Sequence, residues 1–171
     1  GVIQLTATSG GITKNVYLVT RSLNDSEYVL YYNDFDTAPT DYRVVQQTKA
    51  TVYHDGDGHY VIDASADNAA YGRVLLPSFL DDFGDFKFEA RYKDDQQKTN
   101  RCWSSLMGRV QNANYPYMQM CVRYDTTVGD GVEIARRNES DKWDVMATGS
   151  YTGKAMDNYN VYTLDVQGNQ L

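Results

Sequence analysis

Residues 71–92 read YGRVLLPSFLDDFGDFKFEARY. Two strand-like runs, Tyr71–Leu76 and Asp85–Tyr92, flank a short loop that carries Pro77, Asp81, Asp82 and Gly84. In the second run Phe86, Phe88, Ala90 and Tyr92 alternate with Asp85, Lys87, Glu89 and Arg91. A period of two puts the first set against a core and the second in water, as in a strand buried on one side only. The expectation is a strand pair joined by this loop.

The rest of the chain repeats the pattern. Strand-like runs are expected at 28–33, 42–53, 59–65, 71–76, 85–93, 102–110, 117–124, 131–137, 142–147 and 159–167. Turn signals separate them at Asp55-Gly-Asp-Gly58, Asp94-Asp95, Gly129-Asp-Gly131, Asn138–Asp141 and Gly149–Gly153. An earlier hairpin is expected from Val2–Thr8, Ser9-Gly10-Gly11 and Ile12–Thr20. No segment sustains a 3.6-residue apolar period. Short, evenly spaced strands without helices predict an all-β, antiparallel sandwich or barrel.

Composition narrows the function. The chain has 171 residues, 42% of them hydrophobic, which favours a packed globule over disorder. Its 15 tyrosines outnumber five phenylalanines and two tryptophans, a bias toward an aromatic that suits both half-buried strands and exposed stacking surfaces. A formal charge of −7 argues against nucleic acid as a partner. No apolar run approaches the ~20 residues of a membrane helix, so membrane insertion is not expected. No signal-peptide pattern opens the chain, and both ends read as cut, so a piece of a longer protein is expected. Cys102 and Cys121 lie in neighbouring strand-like segments. A disulfide would suit an exported protein, and two small buried thiols are the plainer alternative.

Several segments resemble known families. Thr6-Ala-Thr-Ser-Gly-Gly11 and the run after it resemble the closing strands of a bacterial immunoglobulin-like domain. Tyr32-Asn-Asp-Phe35, Gly58-His-Tyr-Val-Ile-Asp63, Tyr71–Tyr92 as a hairpin, Met107-Gly-Arg109 with Tyr117-Met-Gln-Met120, and Tyr159–Gly168 together resemble a concanavalin A-like (laminin-G-like) jelly roll. The resemblance implies a partial Ig-like hairpin and connector over 1–27 and a jelly-roll β-sandwich over 28–171, incomplete at its C-terminus. It also implies a structural Ca²⁺ near the first and last strands, where Asp34, Asp36 and Asp165 are the matching positions. Modules of this kind occur in exported bacterial proteins, which implies an extracellular or cell-surface location and neighbouring domains of the same chain as partners.

Three constellations bear on chemistry. His54-Asp-Gly-Asp-Gly-His59 offers close oxygens for Ca²⁺, but it also suits a tight hairpin turn in which Gly supplies positive φ, and the turn is favoured. Hydrolysis of a glycoside needs two carboxylates ~5 Å apart in a retaining enzyme. Here Asp81-Asp82 and Asp94-Asp95 are adjacent acids in turns, and Asp85 and Glu89 are separated by Lys87 on one face. Neither arrangement suits that chemistry, and no catalytic residue is assigned. Sugar sites pair aromatic platforms with Arg, Asn, Gln and Asp hydrogen-bonders. Trp103, Arg109, Tyr115, Tyr117, Gln119, Arg123 and Trp143 supply that material. On the strand 117–124, Tyr117, Gln119, Cys121 and Arg123 share a polar-aromatic face that is expected to be open, and Met118, Met120, Val122 and Tyr124 a core face. The plainer fate of the two tryptophans is core or rim. The expectation is a non-catalytic, lectin-like module that binds a glycan or polysaccharide. An adhesion or spacer domain contacting protein, and an incomplete carbohydrate-active hydrolase, are the alternatives.

Overall fold

A computed structural model of the chain describes residues 2–19, 29–67, 69–81, 83–94, 101–111, 116–125, 131–150 and 158–168. Twelve strands follow in order: β1 (Val2–Ser9), β2 (Ile12–Val19), β3 (Arg43–Thr48), β4 (Thr51–His54), β5 (Tyr60–Asp63), β6 (Tyr71–Leu75), β7 (Phe86–Tyr92), β8 (Arg101–Gly108), β9 (Tyr117–Asp125), β10 (Gly131–Arg137), β11 (Trp143–Gly149) and β12 (Asn160–Val166). The only helical element among the described residues is a single 3₁₀ turn at Ser78–Leu80. The sheets are a four-stranded one in the order β11-β10-β9-β8 and four pairs, β1-β2, β12-β7, β3-β6 and β4-β5. This is an all-β protein built from antiparallel sheets, none of which closes into a barrel among the described residues.

Most strand boundaries follow the sequence periods. The expected run at 28–33 is a departure, because the described part from 29 onward is not a strand. The run 42–53 is broken in two at Lys49, whose φ of 53° takes the backbone out of the extended region. The larger correction concerns the 71–92 segment itself. Its two strands do not form a hairpin: β6 pairs with β3, and β7 pairs with β12. The loop between them is anchored elsewhere. Arg43 at the start of β3 donates to the Leu76 carbonyl at 2.8 and 3.1 Å and forms an ion pair with Asp81 at 2.6 Å. These bonds hold the chain at β3 before it crosses to the second sheet.

The chain divides into two compact units, residues 1–40 with 53–61, and residues 41–52 with 62–171. In the first, β1 and β2 form a hairpin in register from Val2 opposite Val19 to Ser9 opposite Ile12, turning at Gly10 and Gly11. In the same unit the 54–59 segment is a tight turn. The Asp55 backbone N–H donates to the His59 carbonyl, and the Asp55 carboxylate accepts from the backbone N–H groups of Asp57 and His59 and meets the His59 ring at 2.8 Å. Gly56 and Gly58 adopt φ of 88° and 86°, which a side chain would resist.

In the second unit the core lies between two sheets. Phe86, Phe88, Ala90 and Tyr92 of β7, and Tyr162, Leu164 and Val166 of β12, face Leu106 of β8 and Met120 of β9. The alternation read in 86–92 is therefore the inner face of a packed sheet. Gly108 permits the closest approach, since a Cβ there would sit 2.8 Å from the Phe86 ring.

Two carboxylates held low contribute to the acid limb of stability. Burial tends to raise the Asp55 carboxyl, but hydrogen bonds from Asp57 and His59 outweigh it and hold the group below its usual value. Asp67 is held low by Lys49, 2.6 Å away, and by the Ala69 backbone N–H. A carboxylate depressed in the folded state stabilises above its unfolded value of about 3.9, and that contribution is lost as the pH falls through the folded value. Denaturant midpoints between pH 5 and 2 are expected to fall more steeply for the wild type than for the Asp55→Asn, Asp67→Asn double variant. Parallel curves would contradict this.

Candidate functional site

The residues expected to bind a ligand lie mainly on the second face of the four-stranded sheet. Antiparallel register places Tyr117 of β9 opposite Arg137 of β10, and Arg137 opposite Trp143 of β11. These three form a row across the end of the sheet. The Tyr117 and Trp143 rings meet edge to face, with centroids 6.0 Å apart. The Arg137 guanidinium stacks 4.6 Å above the Trp143 ring, and that of Arg73, from β6, stacks 4.7 Å above Tyr117 while donating to its hydroxyl at 3.3 Å. Such contacts are worth about 0.5–2 kcal/mol each and fix the orientation of the rings.

The β10–β11 turn holds the corner in place. The Asn138 side chain accepts from the backbone N–H groups of Ser140 and Lys142 and donates to Asp144 at 3.1 Å. Asp141 takes φ of 59°, a conformation Asp tolerates better than most residues. From there its carboxylate accepts from two nitrogens of Arg137 at 2.6 Å. Burial pushes the Tyr117 hydroxyl above its ordinary pKa, an effect opposed by Arg73 and Arg137 and reinforced by Asp141. The result is an indole, 39% exposed, stacked by Arg137, whose guanidinium is held by the Asp141 carboxylate.

The other expected residues are distributed differently. Tyr117 and Gln119 are 5% and 7% exposed and Cys121 2%, so the row expected to be open is covered along most of its length. Trp103 is 62% exposed and lies opposite Arg123, which forms an ion pair with Glu133 at 3.4 Å. Arg123 is six residues along β9 from Tyr117, or about 20 Å at a strand rise of ~3.3 Å per residue. Trp103 and Trp143 therefore belong to separate corners and do not share a groove. Arg109 has φ of 52°, and its guanidinium donates to the Gly168 carbonyl, which ties the end of β8 to the turn after β12. Tyr115 lies outside the described residues.

Sequence reasoning missed Arg73, Arg137 and Asp141. Arg137 and Asp141 had a signal: the Asn138–Asp141 turn joins two strands, so the residues before and after it must face one another. Arg73 had none, because it reaches Tyr117 from 44 residues away.

Asp34, Asp165, Asp81, Asp85 and Cys121 have structural settings, and Asp82 and Asp95 lie outside the described residues. Asp34 accepts from the Asp36 backbone N–H at 3.2 Å, and Asp165 lies opposite Lys87 and accepts from Gln167. Among the described residues no three metal-ligating side chains converge. These contacts add no support to the expected Ca²⁺. Asp81 pairs with Arg43, and Asp85 accepts from the Gly168 backbone N–H at 2.8 Å. Cys121 is a buried thiol, not half of a disulfide. Cys121 sits opposite Ser105 and Cys102 opposite Tyr124 in the backbone register, three rungs apart along the ladder. No helix among the described residues is long and apolar enough to cross a membrane.

Compared with known protein families, curated proteins and solved structures, the chain matches none of them.

Proposed function

We propose that this chain is a non-catalytic, lectin-like module of jelly-roll type within a larger exported bacterial protein, and that it binds a glycan at the Trp143 corner. The observation that carries the reading is the posture of Trp143. Its partly exposed ring is braced by Tyr117 and Arg137, and Arg137 is itself held by the Asp141 carboxylate. A sugar needs an apolar platform for its C–H face and fixed donors and acceptors for its hydroxyls. A braced ring loses little freedom on binding, which favours affinity.

The test is calorimetric titration of the protein with a panel of neutral and acidic polysaccharides. At least one is expected to bind, and Trp143→Ala to weaken it by about 30-fold or more, the loss typical of a central aromatic contact. Trp103→Ala is expected to bind like wild type. Circular dichroism checks that each variant is folded. No binding to any polysaccharide, or unchanged binding by folded Trp143→Ala and Tyr117→Phe proteins, overturns the proposal.

A second reading, adhesion to a protein, has its own observation. All seven residues of β11 are exposed at the edge of the sheet, Val145 and Met146 among them. An open groove of about 210 Å³, lined by Val132, Ile134, Ala147, Thr148 and Gly149, lies alongside. Edge strands bearing apolar side chains are common docking elements. Failure of the glycan panel would favour this reading.

A further inference from the structure

We propose that Asp94, Ser104 and Tyr92 form a pH-sensitive latch that makes the seam between β7 and β8 firmer in acidic than in neutral medium. Ser104 lies two residues from Leu106 on the inward face of β8, and Tyr92 ends the inward row of β7. Asp94 follows Tyr92 and is drawn into the same seam, where the Ser104 hydroxyl donates to its carboxylate. The Tyr92 ring stacks on Tyr162 of β12 with centroids 4.1 Å apart, which leaves the Tyr92 hydroxyl buried without a hydrogen bond of normal geometry. Among the described residues no cation forms an ion pair with Asp94.

A carboxylate placed among aromatic rings with one hydroxyl donor is poorly solvated when ionised. When protonated it carries no charge, and burial then costs far less. The groups that face it are consistent in direction. Burial pushes the Asp94 carboxyl above the usual carboxylate range, with the Ser104 hydrogen bond opposing. Burial also pushes Tyr92 far up, followed by the charge of Asp94 and smaller effects of Tyr162 and Cys121, with Ser104 opposing. Tyr162 is raised by burial and then by Asp94. The tyrosines therefore stay neutral through the physiological range, and Asp94 is the group that changes state.

For a carboxyl raised on folding, the contribution to stability is complete below the unfolded value of about 3.9 and is lost as the pH rises through the folded value. This limb runs opposite to that of Asp55 and Asp67.

Thermal midpoints of the wild type and Asp94→Asn, measured from pH 3 to 8, test the latch. The wild type is expected to lose roughly 2–4 °C relative to the variant as the pH rises, the shift that about 1 kcal/mol produces in a domain of this size. The variant, carrying a neutral side chain of the same shape, is expected to equal or exceed the wild type at pH 8. A wild-type-minus-variant difference that stays constant with pH overturns the proposal. Should the variant not fold, a carboxyl ¹³C titration of the wild type decides. A midpoint for Asp94 above that of ordinary aspartates supports the latch, and one at or below it overturns it.

Discussion

Leu164→Ala is expected to destabilise the second unit by about 2–5 kcal/mol, the usual cost of truncating a buried leucine. Leu164 is 3% exposed and lies in the core with Leu106 and Val166, opposite Phe88 across the β7–β12 ladder. Its Cδ2 also comes within 3.4 Å of where a Cβ on Gly108 would be, so the side chain fills the space between the sheets. Alanine removes those contacts, and the two sheets cannot close fully over the gap. A loss of this size is a large fraction of the 5–15 kcal/mol that a domain commonly holds, so the urea midpoint should fall markedly. Thr163→Ala, on the exposed side of the same strand, is expected to stay within about 0.5 kcal/mol. A larger loss from Thr163→Ala than from Leu164→Ala would mean that the faces of β12 are assigned the wrong way round, and equal losses would remove the contrast between them.

The second large effect is expected at Gly131. A Cβ there would sit 2.9 Å from the Gly149 carbonyl oxygen and 4.0 Å from the Arg123 guanidinium. The close atom is backbone on the neighbouring β11, so no rotamer change relieves the contact. Gly131→Ala should force β10 and β11 apart and cost about 1–3 kcal/mol, as overpacking does elsewhere. Gly149 provides an internal control, because a Cβ there meets nothing within 4 Å. Gly149→Ala is expected to leave the thermal midpoint nearly unchanged. Equal midpoints for the two variants would remove the close approach from the account.

How far each feature was legible depended on the range of the interaction behind it. Strands β5 to β12 lie close to where alternation and turn residues placed them, because period two and Asx or Gly turns are local properties. The inner row of β7 was readable from Phe86, Phe88, Ala90 and Tyr92 alone. Pairing was not. The 71–92 segment contains two genuine strands, yet Arg43, 38 residues before Asp81, anchors the loop between them to β3. A sequence shows which residues can form a strand and says little about which distant strand will pair with it.

The candidate site divides in the same way. Tyr117 and Trp143 were legible as candidate ligand-binding aromatics, and the register of β9, β10 and β11 is what brings them into one row. Trp103 and Arg109, named beside them, lie elsewhere on the sheet. Trp103 lies about 20 Å along the sheet, and Arg109 is engaged by Gly168. The polar face of β9 was expected to be open, and burial of Gln119 and Cys121 covers it.

By itself the sequence determined that this is an antiparallel all-β protein, which side of β7 meets a core, and where most turns fall. All three follow from neighbours along the chain. Only the tertiary structure decided that β6 and β7 part company, that Arg73 stacks on Tyr117, and that Asp94 enters the seam beside Ser104. Each of these depends on contacts between sheets, which side-chain packing settles and local periodicity does not encode.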